Sequence, residues 1–367
     1  MNPSQILSFN KVNDVTHIAK IKMPYFTKNN LHINANDKWL FTKILLNEIP
    51  KDLSNNIHFE GNVLFLPLGG RYYHDFVEIF PQILTLKKIN EDFKVVFFCI
   101  SDEAAVTHSE YAPPHFTKII DGIYDSMHKN YKGMTFKYMK DILDNFEIKF
   151  QCLVWEEGMT FSSDASYMFY YDRDSFGAQG IDPAIETIFQ NEKISKEYIY
   201  HSYLVTGLSN LQTFYSYKTI LEMFPKNKTI KNKKIFIGRK QHVFIDRLIE
   251  NYNELEAFFN SLGYETIYLE DYDLFDQIKI CQESDFICSL AGSSFINSLM
   301  ANKNTKLLKI HTGDQINFTA YTYVASKLEL DMKEIYCEPD GIKIINYLKN
   351  NNSEFIKIFL REENYGK

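Results

Sequence analysis

The second half of the chain switches its hydrophobic period at regular intervals. A short apolar run over 234–237 is followed by helical spacing over 250–262, an extended run over 265–269 and helical spacing again over 273–282. Strand 286–290, helix 294–301, strand 307–310, helix 318–328 and a short strand 334–337 continue the series. Strands alternating with helices predict a parallel, doubly wound sheet. The first half reads as mixed α/β. Residues 37–49 predict a helix with Trp39, Leu40, Ile44 and Leu45 on one face. Strand 63–68 ends at Gly69-Gly70, and a helix over 72–88 is kinked near Pro81. Runs 94–100 and 150–155 are strands. Phe116, Ile119, Ile120, Ile123, Tyr124 and Met127 have helical spacing, whereas 156–180 shows no period and reads as a loop. Residues 202–234 read as mostly helical and end in the polar, basic KNKTIKNKK. That shift divides the chain into an N-terminal α/β domain (1–230), a Rossmann-like domain (231–340) and a C-terminal helical segment (341–367) expected to return to the first domain.

Composition narrows the class. A chain of 367 residues, 45% hydrophobic and 24% charged, suits about two ordinary globular domains. A formal net charge of −7 argues against duplex nucleic acid as a partner. The 24 Tyr and 30 Phe belong first to the core. Five scattered cysteines without a CxxC pair suggest a reducing compartment and no zinc site. No signal h-region opens the sequence and no window approaches 18 uninterrupted apolar residues, so a cytoplasmic protein is expected.

Candidate chemistry gathers where the strands of the second domain end, since ligands of open α/β sheets bind beyond their carboxyl ends. Gly238-Arg239-Lys240 with Arg247, the small-residue turn Gly292-Ser293-Ser294, and His311-Thr312-Gly313 all fall there. Guanidiniums, backbone N–H groups and hydroxyls together suit a diphosphate. For either arginine alone, a surface ion pair with Glu250 or Glu254 is the plainer reading. GxGxxG and GxxxxGK[ST] are absent, and AGSSF lacks the second glycine of a GxSxG elbow. The triplets Asp172-Arg173-Asp174 and Asp271-Tyr272-Asp273 read better as solvated or capping acids than as metal ligands. In the first domain, GGRYYHDFVE places His74 and Glu78 four residues apart, on one helix face, with Asp75 beside them. A histidine at a helix N-terminus is biased toward its neutral form, which suits a general base. A plain polar face is the alternative.

The stretch from Ile237 to Ile310 resembles the core of glycosyltransferase family 61. Arg239, Arg247, Asn251 and Glu254 match its order and spacing, as do Gln277, Gly292 and Asn297. Upstream, Tyr73-His74 with Glu78 and Pro81 matches a Tyr-Gly-His-aromatic segment followed by an acid and a proline. Two positions depart from the pattern: Ala291 stands where the family usually has a histidine, and Glu78 where it usually has Asp. The resemblance implies a GT-B fold, two Rossmann-like domains facing across a cleft. It implies an inverting, metal-independent transferase without a resident cofactor, taking a UDP-linked nucleotide-sugar as substrate. The donor would meet Arg239, Lys240, Arg247, Gly292, Ser293, Ser294, Asn297 and His311. His74, with Glu78 or Asp75 as lesser candidates, would deprotonate a glycan or lipid-linked acceptor, the latter giving the protein a peripheral place at a membrane. The alternatives are an inactive nucleotide- or sugar-binding protein, a metal-dependent DxD transferase, and a Rossmann-like enzyme of other chemistry.

Overall fold

The computed structural model describes residues 5–14, 16–26, 31–33, 39–45, 53–67, 75–100, 119–120, 123–124, 140–155, 160–171, 198–204, 210–224, 233–239, 248–312 and 319–361. The chain divides into two units, Met1–Met223 and Phe224–Lys367.

In the first unit the described strands are β1 (Gln5–Lys11), β2 (Thr16–Lys22), β3 (Tyr25–Phe26), β4 (Leu31–Ile33), β5 (Trp39–Leu45), β6 (Asn56–Pro67), β7 (Lys94–Ile100), β8 (Ile119–Ile120), β9 (Ile123–Tyr124), β10 (Phe150–Trp155), β11 (Thr160–Tyr171) and β12 (Tyr198–Leu204). The main sheet runs β1-β2-β11-β6-β7-β10, with β3 also on β11. It is parallel from β11 to β10 and antiparallel at β1, β2 and β3. A second sheet, β12-β5-β4, is antiparallel. The helices α1 (Phe80–Lys88) and α2 (Asn210–Met223) pack together.

Three expectations fail here, each for a readable reason. The segment expected to be a helix at 37–49 contains strand β5, whose Trp, Phe, Thr and Ile suit a pleated surface between two partners. The loop expected over 156–180 contains β11, the centre of the main sheet. Phe161, Ser162, Ser163, Ala165, Ser166, Tyr167, Met168 and Phe169 are all buried, so the strand is covered on both faces and shows no alternation. The helical spacing around 116–127 contains the antiparallel pair β8–β9, with Asp121-Gly122 between them in sequence, a hairpin dipeptide. The kink near Pro81 is real in another form. A π-helical turn, Asp75–Ile79, precedes α1, and Pro81, which has no N–H to donate, stands in the first turn of α1.

The second unit follows the expected rhythm. Its strands are β13 (Lys233–Ile237), β14 (Glu265–Ile267), β15 (Ser284–Leu290), β16 (Lys306–Thr312) and β17 (Asp331–Cys337), all parallel in the order β14-β13-β15-β16-β17. Its helices are α3 (Tyr252–Ser261), α4 (Leu274–Gln282), α5 (Thr319–Lys327), α6 (Gly341–Asn350) and α7 (Glu354–Leu360). Phe236, Cys288, Leu290, Leu308, Ile310 and Ile335 bury one sheet face against Tyr252, Leu255 and Phe259 of α3 and Ile344, Leu348, Ile356 and Phe359 of α6 and α7. The C-terminal segment, expected to return to the first domain, therefore completes the core of the second unit. On the other face lie α4, α5 and a 3-10 helix, Ser293–Met300. That segment was expected to be an ordinary helix.

Gly341 fixes where α6 begins. Its N–H donates to Glu250 O at 2.7 Å, and a Cβ there would stand 2.2 Å from Asn251 O. Asn251 is itself left-handed (φ 51°), and its Nδ2 donates to Asp340 Oδ2 at 3.3 Å, the residue that caps α6. The backbone has nowhere to yield. Gly341→Ala is expected to destabilise the fold by about 1–3 kcal/mol, read as a lower urea midpoint at unchanged slope. An unchanged midpoint would refute this packing.

Candidate functional site

Strand order reverses at β13, whose neighbours are β14 on one side and β15 on the other. Such a switch point opens a crevice at the carboxyl ends of the strands. Arg239 stands just past the end of β13. Its backbone N–H donates to Tyr252 Oη at 2.6 Å, and its Nη2 donates to Ala291 O, just past the end of β15, at 2.5 Å. The guanidinium thus spans the switch point. Burial raises the Tyr252 phenol far above its ordinary value, only partly offset by the Arg239 N–H, so Oη is a neutral hydroxyl. Gly238 leaves room for this clasp: a Cβ there would meet Tyr268 Cε1 at 2.9 Å and Tyr252 Oη at 3.1 Å.

The bare turn after β15 has its own requirement. Gly292 has φ 152° and ψ −174°, a region essentially confined to glycine. The chain then enters the 3-10 helix, with Phe295 N–H on Gly292 O at 3.1 Å. Asn297, read in the sequence as a donor contact, is fully buried and donates to Gln277 Oε1 at 2.6 Å, while Gln277 Nε2 donates to Tyr272 O at 3.0 Å. It ties the 3-10 helix to α4 and acts on the turn from behind. Ala291 N–H continues the ladder to Ile310 O at 2.7 Å, which sets His311 beside the turn. His311 lies within β16 rather than after it and is buried.

A family model described as Glycosyltransferase 61 matches residues 72–308, well over half of the chain. The chain belongs to this family. No curated protein matches it. The matched span begins two residues before His74 and takes in Arg239, Arg247, Gly292 and Asn297; His311 lies beyond its end.

The structure of this glycosyltransferase brings together Arg239, Gly292, the start of the 3-10 helix at Ser293 and Ser294, and His311. His74, Lys240, Arg247 and the triplet Asp172-Arg173-Asp174 lie outside the described residues, and Asp75 and Glu78 are described as backbone of the π-helical turn. In the other acidic triplet Asp273 caps α4, accepting from Asp276 N–H at 2.8 Å, as the sequence suggested. Asn251 and Glu254, which match the family pattern, are exposed at the start of α3, next to Tyr252 of the clasp in sequence, and Asn251 bonds Asp340 and not Arg239. Among the described residues no helix is long and apolar enough to cross a membrane. Sequence reasoning missed the ion pair of Lys309 and Glu334, in which Nζ lies 3.0 Å from Oε1. The signal was a lysine inside the apolar run Leu307–Ile310.

A second constellation has the outline of a nucleophile, base and acid. His58 Nδ1 lies 3.0 Å from Ser162 Oγ, and His58 Nε2 lies 3.1 Å from Asp164 Oδ1. Ser162 is buried in β11 and already accepts from Asn56 Nδ2 at 3.0 Å. Asp164 Oδ2 accepts from Gly61 N–H at 2.7 Å, the main cause holding its carboxyl below the usual range. The group pins a register shift between β6 and β11 and offers no accessible nucleophile.

Proposed function

We propose that this glycosyltransferase is an inverting, metal-independent enzyme that moves a sugar from a nucleotide-sugar, UDP-linked, to a glycan acceptor in surface polysaccharide or glycan synthesis. The observation that carries the reading is the Arg239 clasp across the switch point of a parallel sheet, beside a turn that only glycine can make. In this reading the two units form the GT-B pair. The second unit holds the donor diphosphate with Arg239, Lys240, Arg247, His311 and the N–H groups of Ser293 and Ser294. The first supplies His74, which takes the acceptor hydroxyl proton while Glu78 orients it. Displacement at the anomeric carbon builds negative charge on the departing diphosphate, and fixed donors stabilise that charge without reorganising. A lipid-linked acceptor would draw the protein to the cytoplasmic face of a membrane.

The test is turnover of a nucleotide-sugar panel in the presence of EDTA, with NMR of the product's anomeric centre. Turnover that persists, with inverted configuration, is expected. Loss that Mn²⁺ or Mg²⁺ restores would replace this reading by the metal-dependent one, and retained configuration would refute inversion.

A further inference from the structure

β16 buries a lysine and a histidine where a strand covered on both faces normally carries apolar side chains. Lys309 is 1% exposed and His311 2%. Ser289, Lys309 and Glu334 are register partners on β15, β16 and β17, and His311 pairs with Tyr336 two residues on. Glu334 accepts from Lys309 Nζ at 3.0 Å and from Tyr336 Oη at 3.3 Å, and its other contact is His311 Nε2 at 3.6 Å. The Lys309 ammonium also lies 4.4 Å from the Tyr321 ring centroid. Burial pushes the Glu334 carboxyl up, but His311 and Lys309 outweigh it and hold the group well below the usual carboxylate range. Burial lowers Lys309, and Glu334 works against that.

The imidazole itself is left incomplete. A separation of 3.6 Å is beyond hydrogen-bond distance, and among the described residues neither ring nitrogen of His311 has a partner. Native folds rarely leave a buried polar atom so. His311 stands at the carboxyl edge of β16, where its neighbour Ile310 accepts from Ala291 N–H and Ala291 O accepts from Arg239. A guanidinium and an imidazole therefore come from the two strands on either side of the bare turn. The half-exposed Tyr336 ring stacks on the imidazole, centroids 4.4 Å apart at 12°. Lys309, His311 and Glu334 all lie beyond the span matched by the family.

We propose that Glu334, anchored by Lys309, is a positioning residue that draws the Nε2–H of His311 toward itself and leaves Nδ1 to gain a proton and bind the donor diphosphate. A carboxylate only accepts, so the nitrogen facing it carries hydrogen; a diphosphate also only accepts, so the opposite nitrogen must carry hydrogen too. Binding then converts His311 from imidazole to imidazolium, with the proton drawn from solvent and Tyr336 turning aside as the cover. Among the described residues, the titratable groups around the ring on this face are Glu334, Tyr336 and Lys309, with Tyr321 of α5 reached through Lys309. This rests on the reading of the second unit as the donor site.

The test is calorimetry of UDP, GDP, CDP, ADP and dTDP, and of their nucleosides, at about pH 8 in buffers of different ionisation enthalpy. Free diphosphate is then fully ionised, its last pKa being about 6, so a proton taken up on binding goes to the protein. The tightest diphosphate is expected to take up a substantial fraction of one proton, and His311→Gln to abolish that uptake. Glu334→Gln is expected to lower both the uptake and the diphosphate affinity, the latter by about 10- to 100-fold, with nucleoside affinity unchanged. Because Glu334→Gln strands a buried ammonium, the apolar pair Lys309→Met with Glu334→Leu repeats the measurement. Imidazole ¹⁵N shifts of the unliganded wild type, assigned by their loss in His311→Gln, are expected to show the Nε2–H form. Diphosphate binding without proton uptake, wild-type affinity in the doubly substituted protein, or the Nδ1–H form would each overturn the proposal alone. If none of the five diphosphates binds the wild type, the donor reading falls with it.

Discussion

Arg239→Ala is expected to lower kcat/KM for sugar transfer by about 10²–10³-fold, the usual consequence of removing one fixed donor from a developing charge. The same substitution should weaken a nucleoside diphosphate by about 10- to 100-fold and leave the nucleoside nearly untouched, because in the proposed donor site the guanidinium beside Gly292 would meet phosphate and not base. The geometry sharpens the expectation. The backbone N–H of residue 239 still reaches Tyr252 Oη in the variant, so the β13 end stays in place, while the bond from Nη2 to Ala291 O is lost. Arg239→Lys is expected to recover only part of the affinity, since an ammonium keeps the charge but not the planar fork that can hold a carbonyl and a phosphate together. Calorimetry on UDP and uridine, beside initial rates, separates the cases. Equal losses for both ligands would mean that Arg239 only braces the turn.

The second unit was legible because its strands sit between helices at short intervals and each apolar run ends in a residue that changes the chemistry: Gly238 after β13, Ala291-Gly292 after β15. Its strand order is what the sequence could not supply, and that order is what turns Arg239 and Gly292 into neighbours. The first unit was less legible for a physical reason. β11 is central and rich in serine, so neither alternation nor an apolar run announced it, although Ser162, Ser163 and Ser166 are all buried. In β5 the residues that matched a helix face, Trp39, Leu40, Ile44 and Leu45, are apolar types that a strand also uses. The bare turn after β15 shows the same ambiguity at a single residue. In the sequence the turn counts as part of a diphosphate site, and the backbone angles of Gly292 show that the fold needs glycine there in any case. The two causes are compatible, so the turn alone does not locate a ligand; the Arg239 clasp is the independent sign. Lys309 was hidden because a buried ion pair across two strands has no local sequence pattern beyond a charge in an apolar run.

The largest effect is expected at His74. His74→Ala should lower the rate of the chemical step by about 10²–10⁴-fold, the usual worth of a positioned base, with donor affinity preserved because the proposed donor site belongs to the second unit. His74 itself lies outside the described residues, but the turn that follows it is described. The family match opens at residue 72. β6 ends at Pro67, seven residues before His74, and the π-helical turn Asp75–Ile79 begins directly after it. Phe76, Val77 and Ile79 of that turn are buried, which anchors it to the core and fixes the chain that leads out of His74. π-turns of this kind persist mainly where a site needs a side chain re-aimed, because they give up regular helical bonding. Glu78→Gln should cost less than His74→Ala if the carboxylate only orients the ring. Single-turnover rates and UDP affinities for both variants decide the assignment. Near-wild-type turnover in His74→Ala with loss in Glu78→Gln would make Glu78 the base, and normal turnover in both would move the base out of this segment altogether.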